Sequence, residues 1–426
     1  MVRPAALRHD GALLSAWHGR TFASLRHSRN YRLYFWGQLV SLTGTWMQDA
    51  ALPWLVLQQT HSGFDVGVLV FCRFIPMLVL GLYSGVLADR LDNRQLLIAT
   101  QAVSMTVAWL LAIMALGGWT PVWAVFTLAT VGGTALAFEG PNRHALTYQL
   151  VGPESLANAV SLNSSLFNAG RAVGPAVGGA VIAVAGVGWC FAFNALSFLA
   201  ILVALLLMRT SELYAVRRSS RSTRASTAVR EGLAFVRRST PALVVIGLMF
   251  VSSVIGFNFR VLVPVLAEQT LHAGAGAFGT LYACFGIGAL GGALTAASIG
   301  RASPGAFLAG SLTLNGAVLA IAPVHSELIA AALLLVAGAG FSLWLAMGQS
   351  ILQLTTPDHL RGRVISLYLL VFGGLQPVGA LLAGWLTDVG GTGFAYALAG
   401  AVGLASTGAA ALSMNVPRRE RRAAQS

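Results

Sequence analysis

The stretch Gly85-Val86-Leu87-Ala88-Asp89-Arg90-Leu91-Asp92-Asn93-Arg94 sets two acids and two arginines between two apolar runs, roughly 66–87 and 96–116. Each run has about the 20 residues needed to cross about 30 Å of hydrocarbon at about 1.5 Å per residue. The stretch is therefore a short polar connection between two membrane-spanning helices. Its arginines also assign its side, because basic connections are retained in the cytoplasm.

The same reading extends along the whole chain. Its 27 basic side chains are all arginine. They fall in the N-terminal arm (Arg3, Arg8, Arg20, Arg26, Arg29, Arg32), at Arg90 and Arg94, at Arg143, from Arg209 to Arg238, at Arg301, at Arg361 and Arg363, and in the tail from Arg418 to Arg422. The intervening connections, near His61, Gly117, Gly186, His272, His325 and Gly390, hold none. Arginine in alternate connections is the signature of a chain that crosses a bilayer back and forth with both termini in the cytoplasm. Only Arg73, Arg171 and Arg260 fall inside apolar segments.

Composition excludes several classes. Charged residues make up 10% of the chain, against about 25% in soluble domains. Ten-residue segments alternating with period two are absent, which argues against a membrane β-barrel. The net charge of +13 sits in membrane-flanking connections, where topology and anionic lipid account for it, so nucleic acid is not an expected partner. Cys72, Cys190 and Cys284 lie in or beside apolar segments without paired spacing and read as small hydrophobes. The eight histidines have no metal-ligand spacing, and a chain without lysine cannot carry a Gly-x-x-x-x-Gly-Lys phosphate loop. No catalytic constellation, cofactor or metal is expected. The first twenty residues lack a long apolar core followed by a cleavage site, so no cleaved signal peptide is expected.

Spans are predicted at about 33–57, 66–87, 96–116, 121–138, 159–185 and 189–208. A second set follows at about 242–267, 278–299, 305–323, 328–352, 364–387 and 394–414. The expected organisation is a cytoplasmic arm (1–32), a six-helix bundle (33–208), a basic linker (209–240), a second six-helix bundle (241–414) and a basic tail (415–426). Within the linker, Val229, Leu233 and Val236 against Arg230, Arg237 and Arg238 have the spacing of an interfacial amphipathic helix. Pro153-Glu154-Ser155-Leu156 before the fifth span matches Pro357-Asp358-His359-Leu360 before the eleventh, at equivalent points of the two sets, which points to duplication.

Here the connection quoted at the outset resembles that of the major facilitator superfamily, whose loop between helices 2 and 3 carries a Gly-x-Leu-Ala-Asp-Arg-x-x-x-Arg pattern. The resemblance implies that Gly85, Asp89, Arg90 and Arg94 form a cytoplasmic latch made in one transport state and broken in the other. The alternative is ordinary topology charge in a tight turn. In the fifth span Gly174-Pro175-Ala176-Val177-Gly178-Gly179 resembles the antiporter motif of exporters in that superfamily; the alternative is a generic packing face. Asn30-Tyr31-Arg32, Trp54-Leu55-Val56-Leu57 and Leu360-Arg361-Gly362-Arg363-Val364 look like the exporter branch that includes the enterobactin exporter and macrolide efflux proteins. The resemblance runs from about Arg29 to Met414. One departure is that the fourth span lacks the buried arginine many proton-coupled drug exporters carry there.

Ionisable groups at hydrocarbon depth are costly, so each is a candidate functional group. Counted from the outer helix ends, Asp49 lies roughly 12 Å deep and Arg73 and Arg260 roughly 10 Å, while Arg171 is nearer the middle. Asp49 is the candidate proton carrier, paired alternately with Arg73 or Arg260; a permanent pair that only fixes helix packing is the competing reading. The surplus of arginine favours an anionic or metal-chelating substrate. Trp46, Phe257, Asn258, Phe341, Trp344 and Gln349 are further candidates for substrate contact, each against a packing role. The expectation is an all-α membrane protein of twelve helices in two pseudo-symmetric bundles. It would act in a bacterial cytoplasmic membrane as a proton-coupled exporter of a small amphipathic molecule such as a drug, antibiotic or siderophore. Its partners would be lipid, that small molecule and protons. An importer or facilitator on the same fold, or a non-transporting receptor or assembly factor, are the alternatives. Nothing in the sequence sets an oligomeric state.

Overall fold

The computed structural model describes the backbone of residues 23–215, 225–256 and 258–423, with the side chains of 23, 82–90, 141, 172, 225–229 and 415–423 excepted. Among the described residues there is no strand. Nine helical stretches among the described residues are long and apolar enough to cross a membrane. Two of these fold back at a glycine in a conformation that side chains resist: Val122–Ala185 at Gly152 (φ 70°) and the C-terminal run at Gly391 (φ 77°). Arg29–Thr60, more polar than the rest, adds the remaining span. The twelve expected spans are thus present.

In chain order they are α1 (Arg29–Thr60), α2 (Gly63–Arg90), α3 (Asn93–Leu116), α4 (122–151), α5 (153–185) and α6 (Val187–Leu206). After the linker come α7 (Thr240–Thr270), α8 (Ala275–Ile299), α9 (Pro304–Ile321), α10 (Glu327–Thr355), α11 (358–390) and α12 (392–423). Helix ends are made locally. Ser28 accepts the Tyr31 N–H at the start of α1, Asp92 accepts the N–H groups of Arg94 and Gln95 at the start of α3, and Ser303 caps α9.

Two features depart from the simplest reading. The Arg143 connection is not a loop: α4 continues as helix to Gly152, and Glu139 and Arg143 pair one turn apart along it. The seventh span is not a smooth α-helix. It carries π-helical turns at Ser252–Gly256 and Leu266–Thr270, and Asn258 (φ −107°, ψ 48°) lies outside the helical region.

In the first half α1 packs on α5 and α6, α2 on α4, and α3 on α6. In the second half α8 packs on α10, α10 on α9, and α9 on α12. The halves meet along α2–α11 and α5–α8. Glycines permit both contacts: a Cβ on Gly67 would lie 2.5 Å from the Ala380 carbonyl oxygen, and Gly179 of α5 lies directly against Gly279 of α8. A linker helix, Ala225–Arg238, lies against the start of α11, with Val236 buried and Glu231 paired to Arg363. The termini of the chain and linker residues 216–224, which hold many of the topology arginines, lie outside the described residues.

Candidate functional site

Three of the intramembrane charges, Asp49, Arg73 and Arg260, line one small cavity. The Asp49 carboxylate on α1 accepts a hydrogen bond from Arg73 Nη2 on α2 at 2.7 Å, both side chains being nearly buried. Arg260, from α7 in the other half, joins them around this cavity of about 20 Å³, lined also by Leu52, Pro53, Leu69, Val70 and Phe74. That is about one water in size. Arg260 makes no ion pair among the described residues. Its guanidinium lies 4.8 Å from the centre of the Phe74 ring and 5.7 Å from that of Trp46, and Nη1 donates to Gln376 Oε1 at 3.3 Å.

Arg73 reaches Asp49 because α4 gives way beside it. Gly132 lies under the guanidinium, and a Cβ on Gly133 would collide with the Arg73 carbonyl. The sequence reading passed over this pair; its signal was two adjacent glycines in an otherwise bulky span. The broken start of Phe259–Val265 was also missed. It sets Arg260 just after a non-helical residue, and interrupted membrane helices commonly build binding sites.

Arg171 on α5 stands apart from that cavity. It donates to Asn168 Oδ1 at 3.2 Å and across to Ser342 Oγ on α10 at 3.4 Å, and it lies 5.6 Å from the Phe341 ring centre. Below it runs a polar stripe at helical spacing that the sequence reading also missed: Ser161, Ser164, Ser165 and Asn168. The serines are exposed and bond back to carbonyls four residues earlier. Gln349 and Gln353 form an exposed counterpart on α10. The two stripes are thus largely exposed polar groups on α5 and α10, the serine hydroxyls satisfied within their own helix.

The arginine-poor end is closed by contacts between the halves. Asp388 of α11 accepts bonds from Ser62 Oγ (2.7 Å) and from the N–H groups of Gly63 (2.6 Å) and Phe64 (3.1 Å). His61 lies 3.4 Å from Glu268, its carbonyl accepts from Gln269 at 3.0 Å, and Trp54 stacks on Phe278 at 5.0 Å between centres.

The remaining sequence candidates divide. In the Gly-Pro motif, Gly174 receives Trp46, Gly178 receives Met47, Gly179 meets Gly279, and Pro175 is buried. The side chains of Gly85, Asp89 and Arg90 lie outside the described residues, as does Phe257. Arg94 bonds within its own half, Nε to the Leu205 carbonyl (2.7 Å) and Nη2 to that of Leu206 (3.3 Å), closing the end of α6. Trp344 is buried between Phe307 and Phe341 as packing. Asn258 is buried at the break in α7, whereas Trp46 and Gln349 retain exposure.

A family model described as transmembrane secretion effector matches residues 19–426. The chain is 25% identical over 365 residues to the staphyloferrin A transporter of Staphylococcus aureus, covering 84% of this chain and 90% of that protein. It is 27% identical over 370 residues to the multidrug efflux pump Tap of Mycolicibacterium fortuitum (84% and 89%) and 28% identical over 383 residues to the enterobactin exporter EntS of Escherichia coli O1:K1 (84% and 85%). Among solved structures, a D-xylose-proton symporter superposes with a TM-score of 0.69 over 88% of this chain and 95% of that one, at 16% identity.

Proposed function

Because this chain belongs to the transmembrane secretion effector family of the major facilitator superfamily, we propose that it is a proton-coupled exporter working by alternating access in a bacterial cytoplasmic membrane. Export is favoured by the relatives, which include a siderophore exporter and a drug efflux pump. The cargo is accordingly a small amphipathic molecule such as a drug, antibiotic or siderophore. The two bundles, 33–208 and 241–414, rock about the α2–α11 and α5–α8 contacts while the linker 209–240 and both termini stay in the cytoplasm. The turn Gly85–Arg94 serves as the cytoplasmic latch, and the Gly174–Gly179 motif sets the approach of α5 to its neighbours.

One observation carries the coupling: among the described residues, Asp49 is the sole acid lining the cavity that holds Arg73 and Arg260. Protonation of Asp49 would remove the negative charge that Arg73 bonds at 2.7 Å and leave two unneutralised cations repelling each other around one cavity between the halves. That repulsion favours parting them, so a proton taken from outside would change which face is open. The chain catalyses no covalent step in this reading.

The test is Asp49→Asn in proteoliposomes with an imposed pH gradient. Substrate movement should become independent of the gradient while passive exchange persists. Gradient-driven transport at the unmodified rate would overturn the carrier role.

A further inference from the structure

Of the three arginines inside the membrane, one is neutralised. Arg73 has Asp49 at 2.7 Å. Arg171 and Arg260 have no carboxylate within ion-pair distance among the described residues. Each is held instead by neutral groups: Arg171 by Asn168, Ser342 and the Phe341 ring, and Arg260 by Gln376 and the rings of Phe74 and Trp46. These contacts orient the guanidinium groups but use few of their five donors each. A pair of uncompensated cations at hydrocarbon depth is unfavourable unless something else supplies the negative charge.

The surroundings indicate what that is. The polar stripe of Ser161, Ser164, Ser165 and Asn168 leads to Arg171 from the arginine-bearing end. Trp46 connects the two arginines: it lies under Arg260 and packs against Gly170 and Gly174, one residue before and three residues after Arg171 on α5. Phe341 and Trp46 therefore flank the cations with flat apolar surface. Arg171 comes from the first half and Arg260 from the second, so a ligand touching both would bridge the halves.

We infer that Arg171 and Arg260 form a substrate-anion site, and that the cargo is an organic anion whose carboxylate or acidic phenol groups lie beside an aromatic or other flat apolar part. The inference rests on reading the chain as a transporter and narrows its cargo. It makes cationic amphiphiles poor substrates. It also separates the duties of the arginines, with Arg73 held by the proton-binding carboxylate and the other two by the cargo.

The experiment is equilibrium binding of radiolabelled salicylate to the full chain in nanodiscs, competed by phthalate, a dianion, and by salicylamide, the uncharged analogue. Phthalate and salicylate should compete and salicylamide should fail. Arg171→Gln and Arg260→Gln should each weaken anion binding about tenfold or more, the size of one charge-assisted contact. Arg171→Lys, which keeps the charge, should recover part of it and guards against a variant that has only misfolded. Competition by salicylamide equal to that of salicylate overturns the inference. So does undiminished binding when both arginines are replaced, or no anion binding in the millimolar range. Equilibrium binding needs neither gradient nor direction, so failure of coupling through Asp49 would leave this result standing, and the reverse holds.

Discussion

Asp388 and Ser62 belong to opposite halves of the molecule, yet the carboxylate accepts the hydroxyl at 2.7 Å and two backbone N–H groups of the following turn as well. An acid from α11 therefore caps the first turn of α2 from outside its own chain segment, where the helix dipole favours negative charge. The same helix carries Asp89 near its opposite end. This arrangement ties the halves together at the arginine-poor end only while that end is closed. A cap of this kind is worth about 0.5–2 kcal/mol. Asp388→Ala should shift the ensemble toward opening at that end by roughly two- to thirtyfold. Spin labels on Phe64→Cys and Phe394→Cys, in a background without Cys72, Cys190 and Cys284, should report a longer distance population. An unchanged distribution would remove the cap from the gating scheme.

The Asp49–Arg73 pair makes a second prediction, on stability. Removing one member of a buried pair leaves an uncompensated charge and costs about 3–5 kcal/mol, whereas removing both is far milder. Arg73→Gln alone should lower the thermal midpoint in detergent markedly. Adding Asp49→Asn to it should restore most of the loss. Equal loss in the single and double variants would mean that the two side chains are not coupled.

Arg73 also depends on a residue that bears no charge. Gly133 lies so close to the Arg73 carbonyl that any side chain must displace α2 from α4. Gly133→Ala should destabilise the fold by about 1–3 kcal/mol, as overpacking does. Gly140, which has nothing nearby for a Cβ to meet, should accept alanine with little change. The comparison is made by folded yield and thermal midpoint of the two variants.

The parts of this architecture that are written in one dimension were legible in the sequence. Span count and the common level of Asp49, Arg73 and Arg260 follow from apolar length, because a bilayer is a planar solvent that sorts residues by depth alone. Who pairs with whom at that depth is not sorted in this way. Asp49 could have met either arginine, and the choice of Arg73 rests on the room that Gly132 and Gly133 leave on a third helix. Similarly, Asp388 ended an apolar run like any other topology residue; its role depends on α2 starting beside it. The break before Arg260 left no mark that hydropathy could register, since Val254, Ile255 and Phe259 continue the apolar run across it.

The stripe on α5 tests whether water reaches this face of the helix, and the orientation with it. Ser161, Ser164 and Ser165 are exposed, while Leu162, on the same turn, is buried. Cysteines at the three serine positions should react with a membrane-impermeant thiol reagent in inside-out vesicles, and a cysteine at position 162 should not. In right-side-out vesicles the serine positions should be protected while the Asp388 contacts hold. Excess phthalate should slow labelling at position 165 more than at 161, because position 165 lies a turn closer to Arg171. Labelling of all four positions from either side would mean a disordered interior, and labelling of none would mean that the helix faces lipid. Labelling only from the outside would invert the topology assigned from the arginines.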